Sequence, residues 1–131
     1  MIFVDSNVPM YLVGSPHPHK ADAQRLLERA AANRDRLVTD AEVLQEILHR
    51  YSAIGRLDAI QPTFETLLNA VDEVFPIDLA AVSRARELVL AYPPTSARDA
   101  VHVAVMEREG VERILTFDAG FDRFPGISRV S

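Results

Sequence analysis

Six acidic residues stand where carboxylates could do chemistry. Asp5 follows the apolar run Ile2-Phe3-Val4, and Asp118 follows Ile114-Leu115-Thr116-Phe117, so two of the clearest strand patterns end in aspartate. Glu42 and Glu46 lie one helical turn apart after Leu37-Val38-Thr39, Asp99 heads the helical pattern after Pro93-Pro94, and Asp122 trails Asp118 by one turn. Carboxylates gathered in one place repel one another and resist joint ionisation, so a fold keeps such a group when something positive occupies it. Oxygen-only ligands favour Mg2+ or Mn2+. Those ions serve phosphoryl transfer, activating water and stabilising the leaving oxygen.

Each acid also has a purely structural reading. Asp5 can close an Asx turn or cap a helix, and Asp118 can be a turn residue. Asp99 follows Ser96 by three and completes a capping box as readily as it binds a cation. Glu42 stands in the same relation to Thr39, and there the capping role is the better account. Glu46 has no capping role; it is either a surface glutamate or part of a site. Thr116 shares a strand face with Asp118 and either supports a site through its hydroxyl or simply favours the strand.

The histidines and aromatics say less. His17 and His19 flank Pro18 in a polar loop with no third ligand nearby and read as a chance pair. His49 and His102 fall on helices; His102, three residues after Asp99, reads as a partly buried helix histidine near the acids. Phe121 and Phe124 read as packing residues rather than a platform for bases.

The elements that must position these residues alternate strand and helix. Strands are expected at Met1–Asp5, Leu37–Thr39, Glu73–Ile77 (with Pro76 at an edge or end), Arg113–Phe117 and Ile127–Val130. Helices are expected at Asn7–Val13, Lys20–Ala32, Thr39–Ile54, Leu57–Val71 (interrupted at Pro62), Leu79–Ala91 and Ser96–Glu109. Such alternation implies an α/β fold, a parallel sheet with helices on both faces. Ligands of such sheets bind beyond the carboxyl ends of the strands, the edge at which Asp5 and Asp118 stand.

Bulk composition bounds the function. The 131 residues, 48% hydrophobic and 25% charged, suit one globular domain spanning 1–131. No cysteine is present, which excludes disulfides, zinc–thiolate sites and thiol nucleophiles. A secretory leader and an apolar stretch of membrane-spanning length are not seen, so a cytoplasmic protein is expected. The net charge of −5, with one lysine among 14 basic residues, argues against a broad nucleic-acid-coating surface but leaves room for a nuclease. Arg98, beside Asp99, is more simply a solvated helix-start arginine than a phosphate contact.

Three segments resemble the PIN-domain family, and most of all its VapC-type toxins. MIFVDSNV is similar to the family's opening strand and its aspartate, TDAEVLQEIL to the second acidic segment, and SARDAVHVAVMEREGVERILTFDAGF to the third block. The resemblance covers nearly the whole chain and puts Asp5, Glu46, Asp99 and Asp118 in the places of the family's four acids. It implies that Asp5 and Asp99 bind the metal directly, that Glu46 and Asp118 do so directly or through water, and that Asn7 supports the site. Many relatives carry a further aspartate where Gly120 stands here; Asp122 is the candidate to replace it through water. The resemblance further implies a three-layer sheet in order 3-2-1-4-5, Mg2+- or Mn2+-dependent hydrolysis of RNA, dimerisation, and inhibition by a VapB-like antitoxin.

Two rival readings come from other classes. A receiver-like signalling domain also binds Mg2+ in a carboxylate pocket, but it needs paired acids after the first strand and a late lysine. Here Ser6 and Asn7 follow Asp5, and Lys20 lies in the wrong half. A catalytically silent PIN fold serving as a binding module would not need all four acids. A phosphatase needs a second aspartate where Asn7 stands, and no phosphate-binding loop of the G-x-x-x-x-G-K-[ST] type occurs.

Overall fold

The computed structural model describes residues 1–130. A parallel sheet of five strands runs in the order β3-β2-β1-β4-β5. The strands are β1 (Ile2–Val4), β2 (Leu37–Asp40), β3 (Glu73–Phe75), β4 (Arg113–Leu115) and β5 (Ser128–Arg129). Six α-helices connect them: α1 (Asn7–Val13), α2 (Pro18–Ala32), α3 (Ala41–Ala53), α4 (Ile60–Ala70), α5 (Leu79–Ala91) and α6 (Ala97–Glu109). Successive strand residues face opposite sides, yet Ile2, Phe3 and Val4 are all buried; both faces of β1 are therefore covered. The core gathers on this central strand, with Val38, Ile114 and Leu115 of its neighbours and Val103 and Met106 of α6. Burial fades outward, and both residues of β5 are exposed.

The α/β class and the strand order are as the sequence and the resemblance imply. Several boundaries differ, each for a local reason. Asp40, not Thr39, caps α3: its Oδ1 accepts from the amide of Val43 at 2.9 Å. Thr39 belongs to β2, where its hydroxyl donates to the carbonyl of Val4 at 2.8 Å and ties β2 to β1. The Thr39–Glu42 capping box therefore does not form, and Glu42 sits in the first turn without that role. α2 starts earlier than expected, with Pro18 in its first turn and His17 as cap. Pro62 does not interrupt α4; it lies in the first turn of a helix that begins at Ile60, after a 3-10 turn at Leu57–Ala59. An amide missing there would have had no intrahelical partner in any case. β3 stops before Pro76, at the sheet's edge.

Candidate active site

The site is built on the loop after β1. Asp5 extends the pairing of β1 by one bond, its amide donating to Leu115 of β4 at 3.1 Å. Its carboxylate is 4% exposed and held at both oxygens. Oδ1 accepts from the Ser6 amide at 2.7 Å, and Oδ2 accepts from the Thr116 hydroxyl at 2.7 Å. Asn7 Nδ2 lies 3.4 Å from Oδ2 and donates to Thr116 Oγ1 at 3.1 Å. Thr116 also accepts from the Asp118 amide at 3.1 Å, so one hydroxyl joins the carboxyl ends of β1 and β4.

Glu46 enters from α3, one turn beyond the buried Val43. Ser6 Oγ donates to its Oε2 at 2.6 Å, and His102 Nε2 lies 2.6 Å from its Oε1. The other ring nitrogen of His102, Nδ1, is 2.8 Å from Asp40 Oδ2. His102 and Asp40 are fully buried, and Asp5 Oδ1 is 4.0 Å from Nε2. Both ring nitrogens thus face carboxyl oxygens, a setting that favours the doubly protonated ring. Burial opposes that charge, but the Coulombic pull and hydrogen bond of Asp40, then Glu46 and Asp5, raise the His102 pKa well above its ordinary value. Burial likewise pushes Glu46 upward, but the hydrogen bond and charge of His102, with Ser6, reverse this and leave its pKa lowered. Asp5 is raised, by burial above all, with His102 opposing.

Asp99 projects from the first turn of α6, where the Ser96 side chain caps by accepting from the Asp99 amide at 3.1 Å. The cap and the acid coexist: the capping contact uses the amide of Asp99 and leaves its carboxylate to the cavity. Burial, then the negative charges of Asp5 and Asp118, raise the Asp99 pKa to about 6. Asp118 caps the short 3-10 turn Ala119–Arg123, accepting from the Gly120 amide at 2.8 Å. Asp5, Glu46, Asp99 and Asp118 line one cavity of about 520 Å³, with Ser6, Asn7 and the arginines Arg50 and Arg98 among its other walls.

Not every candidate is brought there. Asp122 is turned outward and both its oxygens are taken by Arg129 at 2.8 Å. It is not among the residues that line the cavity. Glu42 is close enough to feel the charges of His102, Glu46 and Asp40, although burial is the main cause of its raised pKa. Phe121 and Phe124 are buried core residues, as their sequence reading has it. His102 is the largest departure, fully buried at the heart of the site rather than partly buried beside it. It stands in the apolar run Ala100-Val101-His102-Val103-Ala104, and a polar side chain in such a run must find partners inside. Asp40 and Ser6 carried no separate signal: Asp40 was masked by Thr39 as an alternative cap, and Ser6 by its commonness in turns.

The donor set fits a divalent cation. Oxygens of Asp5 and Glu46 lie within 4.8 Å of one another, with the N–H of His102 Nε2 beside them as a charge partner and not a ligand, and Asp99 is held against the charges of Asp5 and Asp118; among the described residues no basic side chain makes an ion pair with it. His102 hydrogen-bonds Glu46 and acts on Asp5 and Asp99 through its charge alone, which leaves Asp99 raised; the Asp99 side calls for further positive charge. Residues 2–127 match the PIN domain family. The chain belongs to that family. It is 59% identical to ribonuclease VapC13 of Mycobacterium tuberculosis over 131 residues, the full length of both chains. It is 45% identical to ribonuclease VapC23 of the same species over 118 residues, 90% of this chain and 93% of that one. Among solved structures, this PIN domain resembles M. tuberculosis VapC20, a sarcin–ricin-loop-cleaving toxin, with a TM-score of 0.78 at 23% identity, covering 93% of each chain. It also resembles a toxin–antitoxin complex from Klebsiella pneumoniae, with a TM-score of 0.70 at 18% identity, covering 98% of this chain and 96% of that one; these two likenesses speak to the fold.

Proposed function

We propose that this protein is a metal-dependent endoribonuclease, the toxin of a VapC-type toxin–antitoxin pair, which hydrolyses RNA phosphodiesters with water. The observation that carries this is the meeting of Asp5, Glu46, Asp99 and Asp118 around one cavity in a chain 59% identical to a VapC ribonuclease. Mg2+ or Mn2+ is the cofactor that an oxygen-dominated donor set favours. Asp5 and Asp99 would hold it most directly, and Glu46 and Asp118 would do so directly or through water. When bound, it would lower the pKa of the attacking water and offset charge at the phosphodiester.

The chain's own residues do the rest. Ser6 and Thr116 fix the rotamer of Asp5, and Ser6 and His102 fix that of Glu46, so the carboxylates are aimed before any cation arrives. Asn7 braces Asp5 and Thr116 together. Arg98 and Arg50, at the cavity wall, supply local positive charge for RNA phosphates in a chain that is acidic overall. The partners that follow are an RNA substrate, a VapB-like antitoxin and a second copy of this chain; the place of action is the cytoplasm, and residues 1–131 act as one domain. Among the described residues no helix is long and apolar enough to cross a membrane. The decisive test is incubation of total RNA with wild type and Asp5→Asn, with Mn2+ or with EDTA. Cleavage by wild type with Mn2+ alone is expected; metal-dependent cleavage by pure Asp5→Asn protein refutes the assignment.

A further inference from the structure

At one flank of the cavity mouth four rings form a continuous cluster that the chemistry of the acids does not use. Tyr11 of α1 lines the cavity. It stacks on His17 with ring centroids 4.7 Å apart and planes at 29°, and meets Phe117 edge-on at 5.3 Å. His19 stacks on Phe117 at 4.3 Å and 18°. Phe117 immediately precedes Asp118, and its amide is 3.4 Å from Asn7 Oδ1, so the cluster and the carboxylates share a brace.

The cluster is fixed in place rather than loosely packed. His17 Nδ1 accepts from the His19 amide at 3.1 Å, which caps α2 and sets the plane of the His17 ring. Lys20, the chain's one lysine, donates from Nζ to the carbonyl of Gly14 at 3.2 Å and latches the intervening loop. A Cβ on Gly14 would approach the Met10 carbonyl to 2.9 Å, so the loop leaves α1 along a path only glycine allows. His19 Nδ1 makes no hydrogen bond but lies 3.7 Å from an oxygen of Asp22, so stacking and that contact together hold the ring. His17 is exposed, and Tyr11 and Phe117 are half-buried. A cluster of rings with an exposed member, His17, beside a phosphodiester-cleaving centre suits the flat face of an unpaired base, which any of the four bases can offer.

We propose that Tyr11 and His17, backed by Phe117 and His19, form a stacking shelf for one unpaired nucleobase of the RNA, adjoining the phosphate that is cut. The shelf rests on the ribonuclease reading and adds to it a subsite for single-stranded RNA, set apart from the acids. It selects for substrates whose base is splayed out at that position, a loop or a single strand rather than a duplex.

The test uses fluorescently labelled 12-nucleotide RNAs spanning a cut mapped in total RNA, each carrying an abasic nucleotide at a different position. With wild type and Mn2+, one position beside the cut should be sensitive, kcat/KM falling roughly 5- to 100-fold there. Tyr11→Leu and His17→Asn should lose a similar factor on intact RNA, chiefly through KM, and should no longer distinguish the abasic RNA. Asparagine keeps the helix cap, so His17→Asn removes the ring without removing that bond, and Tyr11→Phe should restore wild-type behaviour. A wild type that cleaves every abasic RNA equally, or variants with unchanged KM, overturn the shelf and leave the ribonuclease reading standing. A wild type that cuts no RNA overturns both.

Discussion

His102 Nδ1 lies 2.8 Å from Asp40 Oδ2, and both side chains are fully buried. This pair sits beneath the carboxylate cluster and gives it an internal positive charge. The His102 pKa is raised in the fold despite burial, so the stability it contributes is complete below about pH 6.5, the unfolded value, and drains away as pH climbs through the elevated folded value. Asp40→Asn should cost about 3–5 kcal/mol, the usual effect of leaving a buried charge without its partner, and should flatten this alkaline decline. Urea unfolding of wild type and variant across pH 6 to 10, read by circular dichroism, measures both; an unchanged slope would contradict the pairing.

Asp99 also costs stability as pH rises, but over a lower range. Its folded pKa of about 6 exceeds the ordinary 3.8, so the metal-free fold favours the protonated acid. Stability should therefore fall as pH rises from about 4 to 6, and then level off. Asp99→Asn should stabilise the metal-free protein by roughly 1–2 kcal/mol at neutral pH, a figure reduced for the partial exposure of the group, while abolishing cleavage. Thermal melts should also show that Mn2+ raises the melting temperature of wild type but hardly that of Asp99→Asn. An equal rise in both would remove Asp99 from the metal site.

Thr116→Val keeps the shape of the side chain and removes the hydroxyl that both donates to Asp5 and accepts from the Asp118 amide. Loss of about 1–3 kcal/mol is expected, since polar groups are left without partners. Cleavage should slow at least tenfold through kcat, because Asp5 is no longer aimed. Steady-state kinetics on one short RNA, beside a melt, separates the two effects.

Asp122→Ala serves as the contrasting case. It breaks an exposed pair with Arg129, a kind of contact that adds little to stability. Cleavage and Mn2+ affinity should match wild type. A clear loss of either would return Asp122 to the site.

Much of this was legible from patterns one or two turns long. Apolar runs ending in aspartate fixed where Asp5 and Asp118 stand, and the alternation of strand and helix fixed the class of sheet. What escaped were relations across the chain. Thr39 looks like a cap for α3 until the sheet is assembled; its hydroxyl then goes to Val4, and Asp40 takes the cap with one oxygen and His102 with the other. His102 and Glu46 are far apart in sequence, so no local window reveals that the histidine is an inner charge. His17 and His19 read as chance neighbours because their partners, Tyr11 and Phe117, come from other segments. The partner of Asp122 also comes from another element, since the short β5 strand presents Arg129 to it.

The order in which the acids occur along the chain has a bearing on synthesis. Asp5 emerges from the ribosome early, yet Thr116 and Asp118, which aim it and close the cavity, are joined only after β4 has been made. A polypeptide interrupted anywhere before that point lacks β4, a neighbour of β1, and with it Thr116 and Asp118. Fragments that end before β4 should therefore show no metal-dependent cleavage of RNA.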